Sequence, residues 1–163
     1  YEDDLGKWAA PFIMATINTK NVHRTNFLLG HPYGKDFRYD EMMLTSPGDA
    51  GKAAANAVVD MLKNPFGAKP PKPGEGPSKE ERENGHYDVV FIGEWPDGQR
   101  LHYGVKGRYD PGYGSTSRML AETGIALLTS DAEGGVGTPG AFLGEALVER
   151  LQEHAALTFA VEE

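Results

Sequence analysis

The chain has 163 residues, 39% hydrophobic and 25% charged, which suits a globular fold with a real core. Twenty-four acidic residues against 16 basic ones give a formal net charge of −8, which argues against nucleic acid as the main partner. Cysteine is absent, excluding disulfides and thiolate metal sites and fitting an expected cytoplasmic location, and no apolar run approaches the roughly 18 residues of a membrane span.

The chain begins at Tyr1 rather than Met and enters an ordered pattern within a few residues, so a longer protein is expected around it. Trp8, Phe12, Ala15, Thr19, Val22 and Leu29 recur at steps of three and four, predicting a helix over 9–29 with Pro11 in its first turn. Its middle, "INTKNVHRTN", carries short amides that compete with a helix backbone for hydrogen bonds. Asn18, Asn21 and Thr25 share one face, with Arg24 beside them. That face suits a carboxylate or an amide ligand, with Arg24 as a forked donor. The plainer alternative is that it hydrogen-bonds the adjacent loop "HPYGKDFRYD".

A strand is expected over 37–45, between the turn signals "HPYGKD" and "SPGD". A helix follows over 48–63, from its alanines and the spacing of Ala54, Val58, Met61 and Leu62. The Pro-, Gly- and charge-rich stretch 65–85 is expected to be a flexible loop or lid. Alternation of Tyr87, Val89 and Phe91 with Leu101, Tyr103 and Val105, across "PDG", predicts an antiparallel hairpin over 86–108.

In "DPGYGSTSRML", Ser115 and Thr116 open a helix over 114–128, and the free amides and hydroxyls of such a start can receive an anion. Plain capping is the alternative. Tyr109 and Tyr113 flank the turn with apolar bodies and polar tips, suited to a ligand pocket or to half-buried packing. Thr138 and Pro139 cap a helix over 139–154, and "LTFAVEE" closes as a strand. Helices packed against an antiparallel or mixed sheet make the fold class α+β, in a single domain.

Several sites are excluded. There is no G-x-S-x-G, P-loop or H-E-x-x-H, and the histidines lack metal-ligand spacing. "GVGTPG", residues 135–140, matches G-x-G-x-x-G literally, but "SDAEG" separates it from the apolar run "IALLT". A dinucleotide site needs the strand to run almost directly into the first glycine, so a loop ahead of a capped helix is expected instead.

Four blocks, "APFIMATINTKNVHRTNFLLGHPYGKDFRYDEMML", "GEGPSKEERENG", "DPGYGSTSRMLAETG" and "GGVGTPGAFLGEALVERLQEHAALTFAV", occur in this order. Together they resemble the C-terminal half of saccharopine dehydrogenase-like oxidoreductases, and the related trans-acting enoyl reductases share similar blocks. The resemblance implies an N-terminal Rossmann domain for NAD(P), followed by an α+β domain that shapes the substrate pocket and the dimer contact. On that implication the chain is the substrate-binding and oligomerisation part of an NAD(P)-dependent oxidoreductase. It would take a small-molecule substrate, form a homodimer, and bind no cofactor alone. Asn18, Asn21, Arg24, Tyr109, Tyr113, Ser115 and Thr116 are the candidate substrate-binding residues; no catalytic residue is assigned. A stand-alone ligand-binding or assembly module, or part of a trans-acting enoyl reductase, is the alternative.

Overall fold

Ala9–Pro11 forms β1 and pairs antiparallel with β2, Met42–Leu44, in the register Ala9 to Leu44 and Pro11 to Met42. This corrects the expected helix start. Pro11 brings no N–H, and at the end of a short edge strand that loss costs no ladder bond. The helix α1 therefore runs Ala15–Leu28. In the computed structural model, which describes residues 1–63, 72 and 74–162, the chain divides into two compact units, Tyr1–Pro73 and Gly74–Glu163.

The first unit holds β1, α1, β2 and α2, Gly48–Lys63. The expected strand over 37–45 shrinks to Met42–Leu44, because 37–41 takes part in an aromatic cluster instead of a ladder. At the start of α2, Gly51 lies against the Ser46 carbonyl so closely that a Cβ would collide with it. Thr45 Oγ1 donates to the Gly51 carbonyl at 2.8 Å and ties the end of β2 to that helix.

The second unit opens with α3, Lys79–Asn84, inside the stretch expected to be a loop. "SKEE" is a capping box: Glu81 N donates to Ser78 Oγ at 3.2 Å, and Ser78 N donates to Glu81 Oε2 at 2.7 Å. Residues 65–71 and 73 of that expectation lie outside the described residues.

The predicted hairpin is present as β3, Tyr87–Glu94, and β4, Arg100–Gly107. Its turn closes with Gly98 N donating to the Trp95 carbonyl at 2.9 Å, and Gly98 has φ +86°. Pro111–Ser115 forms one π-helical turn leading into α4, Thr116–Thr129. Then follow α5, Pro139–His154, and β5, Leu157–Glu162, which pairs antiparallel with β4. The sheet order is β3-β4-β5. Its core is Leu151, Ala155 and Leu157, with Val105, Met119, Leu147 and Phe159 packed around them. The architecture is α+β, with small antiparallel sheets and helices, as the alternation of elements predicted.

Candidate functional site

On the first unit, the polar face of α1 is spent largely on the loop that follows it. Asn26 is 3% exposed; its Nδ2 donates to the Gly34 carbonyl at 2.8 Å and its Oδ1 accepts from Tyr33 N at 3.0 Å. Gly30 and His31 both take positive φ, reversing the chain so that the loop returns along the helix. Asn18 Nδ2 donates to Glu41 Oε2 at 2.9 Å, while the Tyr39 hydroxyl donates to Glu41 Oε1 at 2.8 Å. Glu41 is thus clamped at both oxygens. Partial burial, followed by the hydrogen bond and charge of Glu41, pushes the Tyr39 phenol well above its ordinary value, so it stays protonated.

This bracing frames an open cleft of about 540 Å³ lined by His23, Phe37, Arg38, Tyr39 and Asp40. His23 and Phe37 meet edge to face at 5.6 Å, and Tyr33 and Tyr39 flank Phe37 at 5.3 and 6.4 Å. A cleft lined by aromatic rings together with a guanidinium, an imidazole and the Asp40 carboxylate can receive a partly apolar ligand carrying a polar end. Of the sequence candidates here, Asn18 braces Glu41 and does not line the cleft. Asn21 and Arg24 are exposed on α1, and the Asn21 carbonyl accepts from Thr25 Oγ1 at 2.9 Å. Neither lines the cleft among the described residues.

Sequence reasoning missed His23, Phe37, Arg38, Tyr39 and Glu41. The histidines lack metal-ligand spacing, and the turn signals around 37–45 read as the bounds of a strand. The usable signal was the aromatic rhythm Tyr33, Phe37, Tyr39 beside a helix of short amides.

On the second unit, the turn expected to offer amides to an anion already holds one. The Asp110 carboxylate accepts from the backbone N–H of Gly112 at 3.0 Å, of Tyr113 at 3.1 Å, and of Gly114. The Tyr113 amide foremost, then those of Gly114 and Gly112 and the charge of Arg82, hold Asp110 below its usual carboxylate value against an opposing desolvation effect. Ser115 N donates to the Asp110 carbonyl at 2.8 Å, and the Thr116 hydroxyl to the Pro111 carbonyl at 2.7 Å.

Ser115 is fully buried, its hydroxyl 2.8 Å from that of Tyr87. The Tyr87 ring in turn covers Gly107, where a Cβ would collide with it. Tyr109 lies under the Arg118 guanidinium at 3.7 Å, and Arg118 Nη1 donates to the Gly114 carbonyl at 2.6 Å. Tyr113 is exposed, with one ring face near Gly76. The structure thus brings Tyr109, Tyr113, Ser115 and Thr116 together around one turn of the second unit, while Asn18, Asn21 and Arg24 stand on the first.

The glycine motif "GVGTPG" runs from the loop after α4 into the first turn of α5, and "IALLT" before it is helical. Thr138 Oγ1 accepts from Ala141 N at 3.3 Å, a plain N-cap. A helix–loop–helix beside an antiparallel sheet does not fit a dinucleotide fingerprint, which needs a parallel strand feeding the first glycine. Among the described residues no cluster of His, Asp and Glu suits a metal ion, and no helix is long and apolar enough to cross a membrane.

Comparison with known proteins gives one consistent likeness. The chain is 38% identical over 166 residues to a Mycobacterium tuberculosis protein provisionally named a trans-acting enoyl reductase, covering 90% of this chain and 39% of that one. It is 33% identical over 174 residues to the trans-acting enoyl reductase of Mycobacterium ulcerans, covering 95% and 41%. Against that of Mycobacterium bovis it is 34% identical over 165 residues, covering 90% and 39%. The chain therefore spans about two fifths of the length of the curated relatives it matches. No protein-family model matches it, and no solved structure matches it with significance.

Proposed function

We propose that this chain is the substrate-binding and oligomerisation part of an NAD(P)-dependent oxidoreductase of the saccharopine dehydrogenase-like kind, acting as a trans-acting enoyl reductase. One observation carries the reading: identity of 33–38% to proteins so named extends over at least 90% of the chain rather than over one motif. Such a reaction adds a hydride and a proton across a double bond conjugated to an acyl carbonyl. The relatives' activity implies a nicotinamide as the hydride source, supplied in the longer protein by residues outside this chain. Since "GVGTPG" does not fit a dinucleotide site, the part proposed for this chain is binding and orientation.

The cleft of the first unit supports that part. Phe37 and Tyr39 are proposed as the apolar wall for the acyl portion, and His23 and Arg38, which line the same cleft, as the groups for a polar or charged carrier. Asn18 and Glu41 hold the Tyr39 ring in place. Asn21 and Arg24, exposed on the same helix, are proposed as outer contacts for the substrate's carrier. On the second unit the proposed contacts are the exposed Tyr113 and Thr116, with Tyr109 and Ser115 holding the turn in shape.

The test uses a longer protein that contains this chain, supplied with NADPH and an enoyl thioester, with nicotinamide oxidation followed optically. Turnover is expected. Arg38→Ala should raise KM roughly tenfold while leaving kcat within about twofold, as loss of a ground-state contact does. No oxidation with thioesters of several chain lengths would overturn the reductase reading. An unchanged KM in Arg38→Ala would remove the cleft from it.

A further inference from the structure

The cleft of the first unit runs along a stretch of main chain that the fold holds in place but leaves unpaired. Residues 37–40 belong to no helix and no ladder, and among the described residues their backbone N–H and C=O groups make no hydrogen bond within the chain. The stretch is nonetheless fixed on both sides. Before it, Asn26 bonds to the Gly34 carbonyl and the Tyr33 N–H; after it, Met42–Leu44 pairs with β1. Within it, the Phe37 ring meets His23, and the Tyr39 hydroxyl is held by Glu41. Backbone donors and acceptors pair with the chain, with water or with a ligand. Groups already held in position lose little freedom when a ligand takes them.

The side chains of the cleft restrict what that ligand can be. Arg38 and Asp40 both line it and are both exposed, and Asp40 Oδ1 accepts from Glu41 N at 2.8 Å. A phosphate or carboxylate that approached Arg38 would also meet the Asp40 carboxylate, and like charges repel. The net charge of −8 adds no attraction for an anion. A secondary amide is neutral and both donates and accepts, so it can pair with main-chain N–H and C=O, with Arg38 and with Asp40. The cleft's volume of about 540 Å³ falls within the roughly 300–1,000 Å³ of small-molecule sites. We propose that the cleft binds the pantetheine arm of an acyl thioester through that arm's amides. Residues 37–40 are the main-chain partners, Arg38 is a further donor, and Asp40 excludes phosphate. The proposal rests on the reductase reading, which supplies the thioester, and narrows the carrier recognised there to its uncharged part.

Inert thioethers test this on the 163-residue chain, because their binding needs neither cofactor nor turnover. S-butyl mercaptoethanol carries no amide, S-butyl N-acetylcysteamine one, and S-butyl pantetheine two; S-butyl coenzyme A adds phosphates to the last. Titration followed by backbone amide resonances should show affinity rising roughly fivefold with each amide, with the largest shifts at 37–40. The phosphates of the coenzyme A probe should add less than about twofold. Equal affinity for the mercaptoethanol and pantetheine thioethers would overturn the proposal, as would no binding of any probe, or shifts centred elsewhere. So would a gain that appears only with coenzyme A and fades with salt, the mark of a phosphate site. Asp40→Asn removes the charge and keeps the shape of the side chain. It should raise affinity for S-butyl coenzyme A relative to S-butyl pantetheine by roughly threefold or more. An unchanged ratio overturns the part given to Asp40, and the choice of an uncharged ligand with it. The two readings fail separately. Turnover of enoyl thioesters by the longer protein without amide-dependent binding to this chain sinks the present inference alone, whereas amide-dependent binding without turnover sinks the reductase alone.

Discussion

Asn26 and Asp110 show how a single side chain can settle what a run of polar residues is for. The Asn26 amide is buried and satisfied twice, by Gly34 and Tyr33. Asn26→Ala leaves a backbone carbonyl and a backbone N–H without their partner, and should cost about 1–3 kcal/mol in denaturant unfolding. A loss below the error of that measurement would mean that water replaces the amide freely. Asp110 acts in the same way on its own turn, through charge. Its carboxyl is held below its ordinary value of 3.8, so the stabilisation it supplies is fully present above that value and is lost as pH falls through the depressed one. Asp110→Asn should therefore lower the melting temperature at neutral pH. The gap to the native chain should close as the pH drops below about 4. A gap that widens in acid would contradict this assignment.

At the scale of elements, α5 is two helical pieces joined at Gly144, whose φ of +52° and ψ of −131° are outside any region that side chains favour. Nothing stands within 4 Å of where its Cβ would be, so the cost of substitution is conformational rather than steric. Gly144→Ala should destabilise by about 1 kcal/mol or more, since the backbone must either strain or straighten. Thermal unfolding checks this; a stabilised variant would mean that the helix runs on unbroken. The elements themselves were legible where side-chain periodicity was strong, as in the hairpin, α2 and α5. They were misread where a distant partner overruled local spacing. Trp8, Phe12 and Ala15 look helical in line, but Ala9–Pro11 has Met42–Leu44 beside it. In the charged stretch the "SKEE" capping box was present in the sequence and outweighed by its prolines and glycines.

For the whole molecule, the reading turns on what this chain holds and what a longer protein adds. Titration of the 163-residue chain with NADPH, followed by calorimetry, should show no saturable binding at tens of micromolar ligand, as an order of magnitude. A clean single-site isotherm would place a nucleotide site within these residues and overturn the division of labour proposed above. A longer protein containing the chain should bind NADPH in the same experiment.

Composition, alternation of elements and ordered sequence blocks determined the α+β class, the hairpin, the Thr138-capped helix α5 and the likeness to trans-acting enoyl reductases, because these depend on residues near one another in the chain. The candidate residues were legible as polar and aromatic types, but their roles depended on partners. Whether Asn18 faces a ligand or Glu41, 23 positions away, is a long-range fact. So is the fully buried Ser115 beside Tyr87, 28 positions back, whereas the "DPGYG" amides are taken by Asp110 close at hand. Periodicity reports which side of an element is apolar. Only the packed chain decides which hydrogen-bonding groups a polar side chain meets, because buried donors and acceptors pair with whatever the fold brings within about 3 Å.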